Sequence, residues 1–159
     1  ILHLLSGFMC GAIGFGIIHI FHKKKSINMN SSLRVLTVFA FCFAITCGVL
    51  WEIFEFGADI LFNQDMQTDT IVHKISSVTL NKDESNIPTI VDNITEVDIY
   101  TANGQKITMD GYLDIGIIDT MKDFIMDSIG AIVFCFIAWF CIKKNEEGKF
   151  VKLFIPTIE

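Results

Sequence analysis

Three long apolar runs constrain this chain before any motif is considered: Ile1–Phe21, Leu33–Phe62 and Ile115–Ile142. Each reaches or approaches the roughly 20 residues that an α-helix needs to cross hydrocarbon. A segment in lipid has to satisfy its own backbone, and runs of this length do so as helices. Fifteen Phe and a 52% hydrophobic content are high for a soluble domain of 159 residues. The sequence therefore predicts an all-α integral membrane protein. Residues 1–159 form a single membrane domain with three transmembrane helices, at about 1–21, 33–62 and 115–142.

The first run has no basic segment before it and no small-residue cleavage site after it, so it does not read as a signal peptide. Net charge is −6, but the signs are separated. Lys23, Lys24, Lys25 and Arg34 flank the first connection, and Lys143, Lys144, Lys149 and Lys152 follow the last run. By the positive-inside rule, residues 22–33 and the C-terminus are cytoplasmic and the long connection 63–113 is outside. Ile1 then lies at the outer surface, and the expectation is a fragment of a larger bundle, with helices missing upstream. The basic clusters read as topology signals and anionic-lipid contacts, which leaves no nucleic-acid signature. The composition points to a bacterial cell membrane, the cytoplasmic one. Cys10, Cys42, Cys47, Cys135 and Cys141 lie in the apolar runs without metal spacing, and read as buried small residues with no disulfide.

Gly7 and Gly11, and Ala12 and Gly16, are four apart, a spacing that lets helices approach closely in lipid. Asn30-Ser31-Ser32 offers an N-cap for the second helix. In the long connection, Val97-Asp98-Ile99-Tyr100 and Lys106-Ile107-Thr108-Met109 flank Asn103-Gly104, which predicts an extracytoplasmic β-hairpin between helices two and three. Residues 71–80 are candidates for a third strand. The tail FVKLFIPTIE suits the membrane surface.

The chemistry-bearing residues are acids inside the apolar runs. Glu52, Glu55 and Asp59 fall within roughly 60° of one helical face, and Asp119, Asp123 and Asp127 within roughly 80°. Counted inward from the outer ends, the stripes match rung for rung: Asp59 with Asp119, Glu55 with Asp123, Glu52 with Asp127. The deepest pair lies roughly 15 Å in. His3 is level with the outermost rung, and Trp51 and Phe54 point elsewhere, to pack on lipid or other helices. Asp59 and Asp119 also suit plain interfacial or capping roles, since an anion is favoured at a helix N-terminus. Ionised, unpaired carboxylates cannot persist in a dry bundle. Bound cations, protonated carboxyls or a cavity open to the outside resolve the conflict. Carboxylates on facing bundle helices build metal sites, so Glu52, Glu55, Asp59, Asp119, Asp123, Asp127 and His3 are the candidate ligands. The cofactor expected is a divalent metal ion (Mg, Mn, Fe, Ca or Zn), and a histidine favours Mn, Fe or Zn.

Trp51-Glu52-Ile53-Phe54-Glu55-Phe56, Asp59, Met66-Gln67 and Gly111 through Asp123, continuing to Asp127 and Gly130-Ala131, carry a resemblance. At these residues the chain resembles uncharacterised multi-pass bacterial membrane proteins, mostly from Firmicutes and broadly YjdF-like. It has a weaker likeness to VanZ-like proteins, whose last helices carry a similar polar-then-glycine pattern. The likeness covers helices two and three, helix one loosely and the long connection hardly at all. It implies the membrane class, the same acids and further helices upstream, but no established activity.

The leading functional expectation is a metal-dependent membrane hydrolase or transferase acting on a lipid or lipid-linked substrate from the outer side. The alternatives are a cation- or proton-coupled transporter component and a non-catalytic envelope or immunity protein. The expected partners are the bilayer, a lipid-linked substrate, and either further helices upstream or a second copy in a homo-oligomer.

Overall fold

The computed structural model describes residues 1–23, 29–83 and 85–144, with side chains for all of these except 21–23 and 29–33. Helices α1 (Leu2–Lys23), α2 (Met29–Phe62) and α3 (Ile117–Lys143) carry the three apolar runs. Their segments Leu2–Ile20, Arg34–Phe62 and Ile117–Lys143 are long and apolar enough to cross a membrane. The expected cap at Asn30-Ser31-Ser32 is overrun, because α2 already starts at Met29. The tail expected to lie on the membrane falls outside the described residues.

The chain divides into a helical unit, 1–64 with 120 onward, and a strand unit, 65–119. In the helical unit α1 and α3 run parallel, with α2 antiparallel to both. The crossing of α1 and α3 has no room for side chains. A Cβ at Gly7 would overlap the backbone of Asp127, and one at Gly130 would overlap the carbonyl of Leu4. Lipid tails are as apolar as leucine, so such backbone approach is a main source of helix association in a membrane. One end of the bundle is closed by buried Ala12, Phe15, Leu36, Ala40, Phe134 and Ala138. There Phe134 packs edge-on against Phe8, at 5.3 Å, and against Phe15, at 6.0 Å. At the other end the buried side chains are acids.

The strand unit contains three two-stranded antiparallel pairs: β1 (Ile71–Val72) with β6 (Tyr112–Leu113), β2 (Ile75–Ser77) with β3 (Thr89–Val91), and β4 (Val97–Tyr100) with β5 (Lys106–Met109). The β4–β5 hairpin has the predicted strands, and its turn places Gly104 at φ 83°. The third strand expected from residues 71–80 does not join it. Those residues are split between β1, which pairs with the distant β6, β2, which pairs with β3, and a 3₁₀ turn at Val78–Leu80. Ser77 explains the break: its hydroxyl accepts the Thr79 amide and caps the turn.

At the entry to α3, Ile115 and Gly116 both take positive φ, 56° and 74°. Asp114 holds that reversal. It receives the Thr70 amide at 2.5 Å on one carboxylate oxygen and the Ile118 amide at 2.8 Å on the other. Burial alone raises the Asp114 carboxyl, but the amides of Thr70, Ile118 and Gly116 outweigh it and hold the group below its usual range. On the hairpin, the Thr108 hydroxyl and then Lys106 pull the Asp98 carboxyl down in the same way.

Candidate membrane-embedded acidic site

The site is built from one stripe of each helix. On α2 the buried positions Leu36, Ala40, Ala44, Gly48, Glu52, Glu55 and Ala58 recur every three or four residues, so one face turns from apolar to acidic along its length. On α3 the buried stripe is Asp127, Gly130, Ala131, Phe134 and Ala138. On α1, His3, Ser6 and Gly7 share a face by their spacing of three and four.

These stripes meet. One ligand atom each from His3, Glu52 and Asp123 lie within 4.8 Å of one another. His3 Nε2 is 3.2 Å from Asp123 Oδ2, and His3 Nδ1 is 3.6 Å from Asp127 Oδ2. The imidazole thus sits between two carboxylates of one helix. Ser6 Oγ lies 2.5 Å from Asp127 Oδ1, which it reaches as a hydrogen-bond donor. On α2 the Trp51 indole Nε1 donates to Glu55 Oε1 at 2.8 Å. Glu52, Glu55 and Asp127 are buried, at 4, 8 and 4% exposure, a depth at which carboxylates are rarely found unless paired or ligating.

Two expectations are corrected by this geometry. His3 is not level with the outermost rung: it engages Asp123 and Asp127, the second and third acids of α3, because Gly7 abuts Asp127 and so sets the start of α1 level with the second turn of α3. Trp51 does not point away from the acids, since its N–H is committed to Glu55 one turn on. Ser6 carried no signal beyond its position three residues after His3.

Of the seven candidate ligands, His3, Glu52 and Asp123 converge, Asp127 touches His3, and Glu55 lies beside Trp51. Asp59 follows Glu55 on α2. Asp119 has a position within the strand unit, where its Oδ2 accepts the Thr68 amide at 3.0 Å. That bond ties the first turn of α3 to the connection and is not the helix-capping role the sequence also allowed for it.

A cavity of about 640 Å³ adjoins the acids. His3, Ser6, Trp51, Glu55 and Asp127 form its polar part, and among the described residues no Lys or Arg lines it. The rest of the wall is apolar or small: Leu2, Leu5 and Met9 of α1, and Ala44, Cys47 and Gly48 of α2, are among it. A Cβ at Gly48 would lie 2.8 Å from Asp127 Oδ2. The missing side chain therefore leaves that carboxylate open to the cavity.

One nitrogen and two carboxylate oxygens on three helices form a donor set suited to Mn, Fe or Zn. Ligand bonds of about 2.0–2.2 Å need donors slightly closer than those found here, a difference that side-chain rotation can close. No curated protein and no solved structure matches the chain. A family profile matches residues 1–144, all three helices and the strand unit included, and the chain belongs to that family, described as Predicted membrane protein (DUF2238).

Proposed function

We propose that the acidic end of the bundle binds a divalent metal ion and that the protein is a metal-dependent hydrolase or transferase acting on a lipid or lipid-linked substrate. The observation that carries this reading is the convergence of His3, Glu52 and Asp123 within 4.8 Å. In this reading His3 Nε2 and one oxygen each of Glu52 and Asp123 are the ligands. Nδ1 then faces Asp127 at 3.6 Å, beyond hydrogen-bond reach, and the other oxygen of Asp127 is held by Ser6. A closer approach of the two would complete the carboxylate–histidine–metal relay that orients ligating imidazoles and raises their basicity. The metal supplies Lewis acidity and a nucleophile at neutral pH. Glu55, buried and facing the cavity, is the group placed to take a proton, with Trp51 fixing its orientation.

The lysine clusters support an orientation with residues 22–33 and the C-terminus cytoplasmic and the 63–113 connection outside, in a bacterial cytoplasmic membrane. The narrower likeness to YjdF-like and VanZ-like proteins of Firmicutes belongs to this proposal as well. The transporter reading is weakened by the apolar plug around Phe15, Phe134 and Leu36. A proton or ion leaving the acids along the bundle axis meets those side chains next.

The test is the metal content of protein extracted without chelator, by mass spectrometry, beside a His3→Ala/Asp123→Ala variant. The expected result is near-stoichiometric Mn, Fe or Zn in the parent and background in the variant. Metal absent from both, with the parent's melting unmoved by added Mn²⁺, Fe²⁺, Zn²⁺, Mg²⁺ or Ca²⁺, overturns the metal reading. A site at 100-fold ligand excess contributes about 2.7 kcal/mol, a shift that melting would show.

A further inference from the structure

Two thiols meet between α1 and α2. The antiparallel register of these helices is fixed where Gly14 faces Phe43: a Cβ at Gly14 would lie 2.8 Å from the Phe43 Cβ. Four residues back along α1 is Cys10, and four residues on along α2 is Cys47. A step of four keeps each on the same face of its helix, so the register that joins Gly14 to Phe43 sets Cys10 opposite Cys47. The side chains meet accordingly: a hydrogen bond joins the two thiols, and both line the cavity beside Asp127. Each is a free cysteine.

A disulfide needs its Cβ atoms about 3.5–4.5 Å apart. One turn away, at Gly14, the helices already approach more closely than that, so the backbone does not hold the sulfurs apart. Cys42 and Cys135 are placed differently: Cys42 is exposed, and the Cys135 thiol donates to the Thr37 carbonyl at 3.4 Å. Cys10 and Cys47 lie inside the apolar segments Leu2–Ile20 and Arg34–Phe62, and Leu5, Met9, Ala44 and Gly48 share their cavity wall. Charge is costly in such surroundings. The oxidant that suits the pair dissolves in hydrocarbon and takes two electrons together with two protons, leaving no charge behind. A quinone does this.

We propose that Cys10 and Cys47 are a redox-active pair, which a membrane-soluble quinone oxidises to a disulfide between α1 and α2. Both S–H bonds break and one S–S bond forms. The thiols give up two electrons; the quinone takes these with the two protons and leaves as the quinol. The new bond ties the helix that carries His3 to the helix that carries Glu52. It does not depend on the metal reading of the acids.

A Cys42→Ser/Cys135→Ser/Cys141→Ser variant of the full chain keeps only these two thiols. In lipid nanodiscs it is treated with a short-tailed benzoquinone substituted at every ring position, which cannot add thiols to its ring. The expected result is loss of both thiols, one quinol formed per chain by absorbance, and a Cys10–Cys47 linked peptide in the unreduced digest. Dithiothreitol is expected to restore both thiols. Adding Cys10→Ser is expected to bring quinol formation down to background. Thiols that stay reduced under both the quinone and diamide, a general thiol oxidant, overturn the pair. Linkage by diamide but not by the quinone overturns the quinone as oxidant. Linkage only between two chains, seen as a doubled mass, overturns the α1–α2 pairing. Peptide mapping of the unsubstituted chain after the same treatment gives the same reading even if the triple variant fails to fold.

Discussion

Ser6 is the residue on which the chemistry of His3 turns. A serine in a spanning helix usually satisfies itself on a carbonyl of the preceding turn, and Ser6 does have the His3 carbonyl at 2.9 Å. Its closer partner is Asp127, which in turn faces the second ring nitrogen of His3. Ser6→Ala leaves the three proposed ligands in place and frees one oxygen of Asp127. Partners of this kind typically contribute 10–100-fold in metal affinity. The expected outcome is that Ser6→Ala weakens metal binding by about that factor, read by competition with a chelator, while His3→Ala abolishes it. An unchanged affinity in Ser6→Ala would mean that Asp127 does not orient the ring. The carboxylates were legible in the sequence because charge in an apolar run is conspicuous and helical spacing fixes its face. Ser6 and Trp51 were not, since a hydroxyl or an indole in a spanning helix is unremarkable until its partner is placed. The depth of His3 was misjudged for a related reason: counting along each helix cannot reveal that two glycines let α1 and α3 slide into backbone contact.

At the scale of elements, two local devices hold the parts in register. The first is the α1–α3 crossing. Gly130→Ala puts a methyl where the Leu4 carbonyl lies, and neither backbone can yield without shifting its helix. Overpacking of this kind costs about 1–3 kcal/mol. The crossing also positions His3, so Gly130→Ala is expected to lower the melting temperature and weaken metal binding together. Loss of stability with metal affinity intact would separate the crossing from the site. The second device is the reversal at Ile115–Gly116. A β-branched residue at φ 56° is strained by about 1–2 kcal/mol, and Ile115 is exposed, so its side chain gains little in return. Ile115→Asn, which tolerates that region, is expected to stabilise the turn by about 1 kcal/mol, read as slower hydrogen exchange at Thr70 and Ile118. Asp114 makes the same turn acid-sensitive. Its folded pKa is depressed, so its contribution is fully present above the ordinary carboxylate range and is lost as pH falls through the folded value. Exchange protection at Thr70 and Ile118 is expected to decline on acidification. In Asp114→Asn it is expected to be low throughout and nearly flat with pH. The hairpin was legible because Asn-Gly between alternating runs is a strong local signal. The β1–β6 and β2–β3 pairs were not, being two- and three-residue ladders set by side-chain caps that no periodicity announces.

For the whole molecule, the sequence and the fold constrain each other through membrane orientation. The three spans came from length and apolarity alone, because a bilayer imposes a minimum length that few other environments do. With α1 and α3 parallel and α2 antiparallel to both, the acids of α2 and α3 and the His3 end of α1 share one side. The ends of α1 and α3 next to lysines share the other. The proposed orientation, with the lysine side in the cytoplasm, follows the positive-inside rule. Under that proposal the acids and the 63–113 connection would be outside, and a lipid substrate would be taken from the outer leaflet. Native cysteines all lie within the apolar runs, so single introduced cysteines report cleanly. Asn103→Cys, at the hairpin turn, is expected to react with a membrane-impermeant maleimide in intact cells, and Asn145→Cys only after lysis. The reverse pattern would move the acids to the cytoplasmic face and make the substrate an inner-leaflet lipid. The proposed metal ligands would then serve a reaction on the opposite side of the membrane.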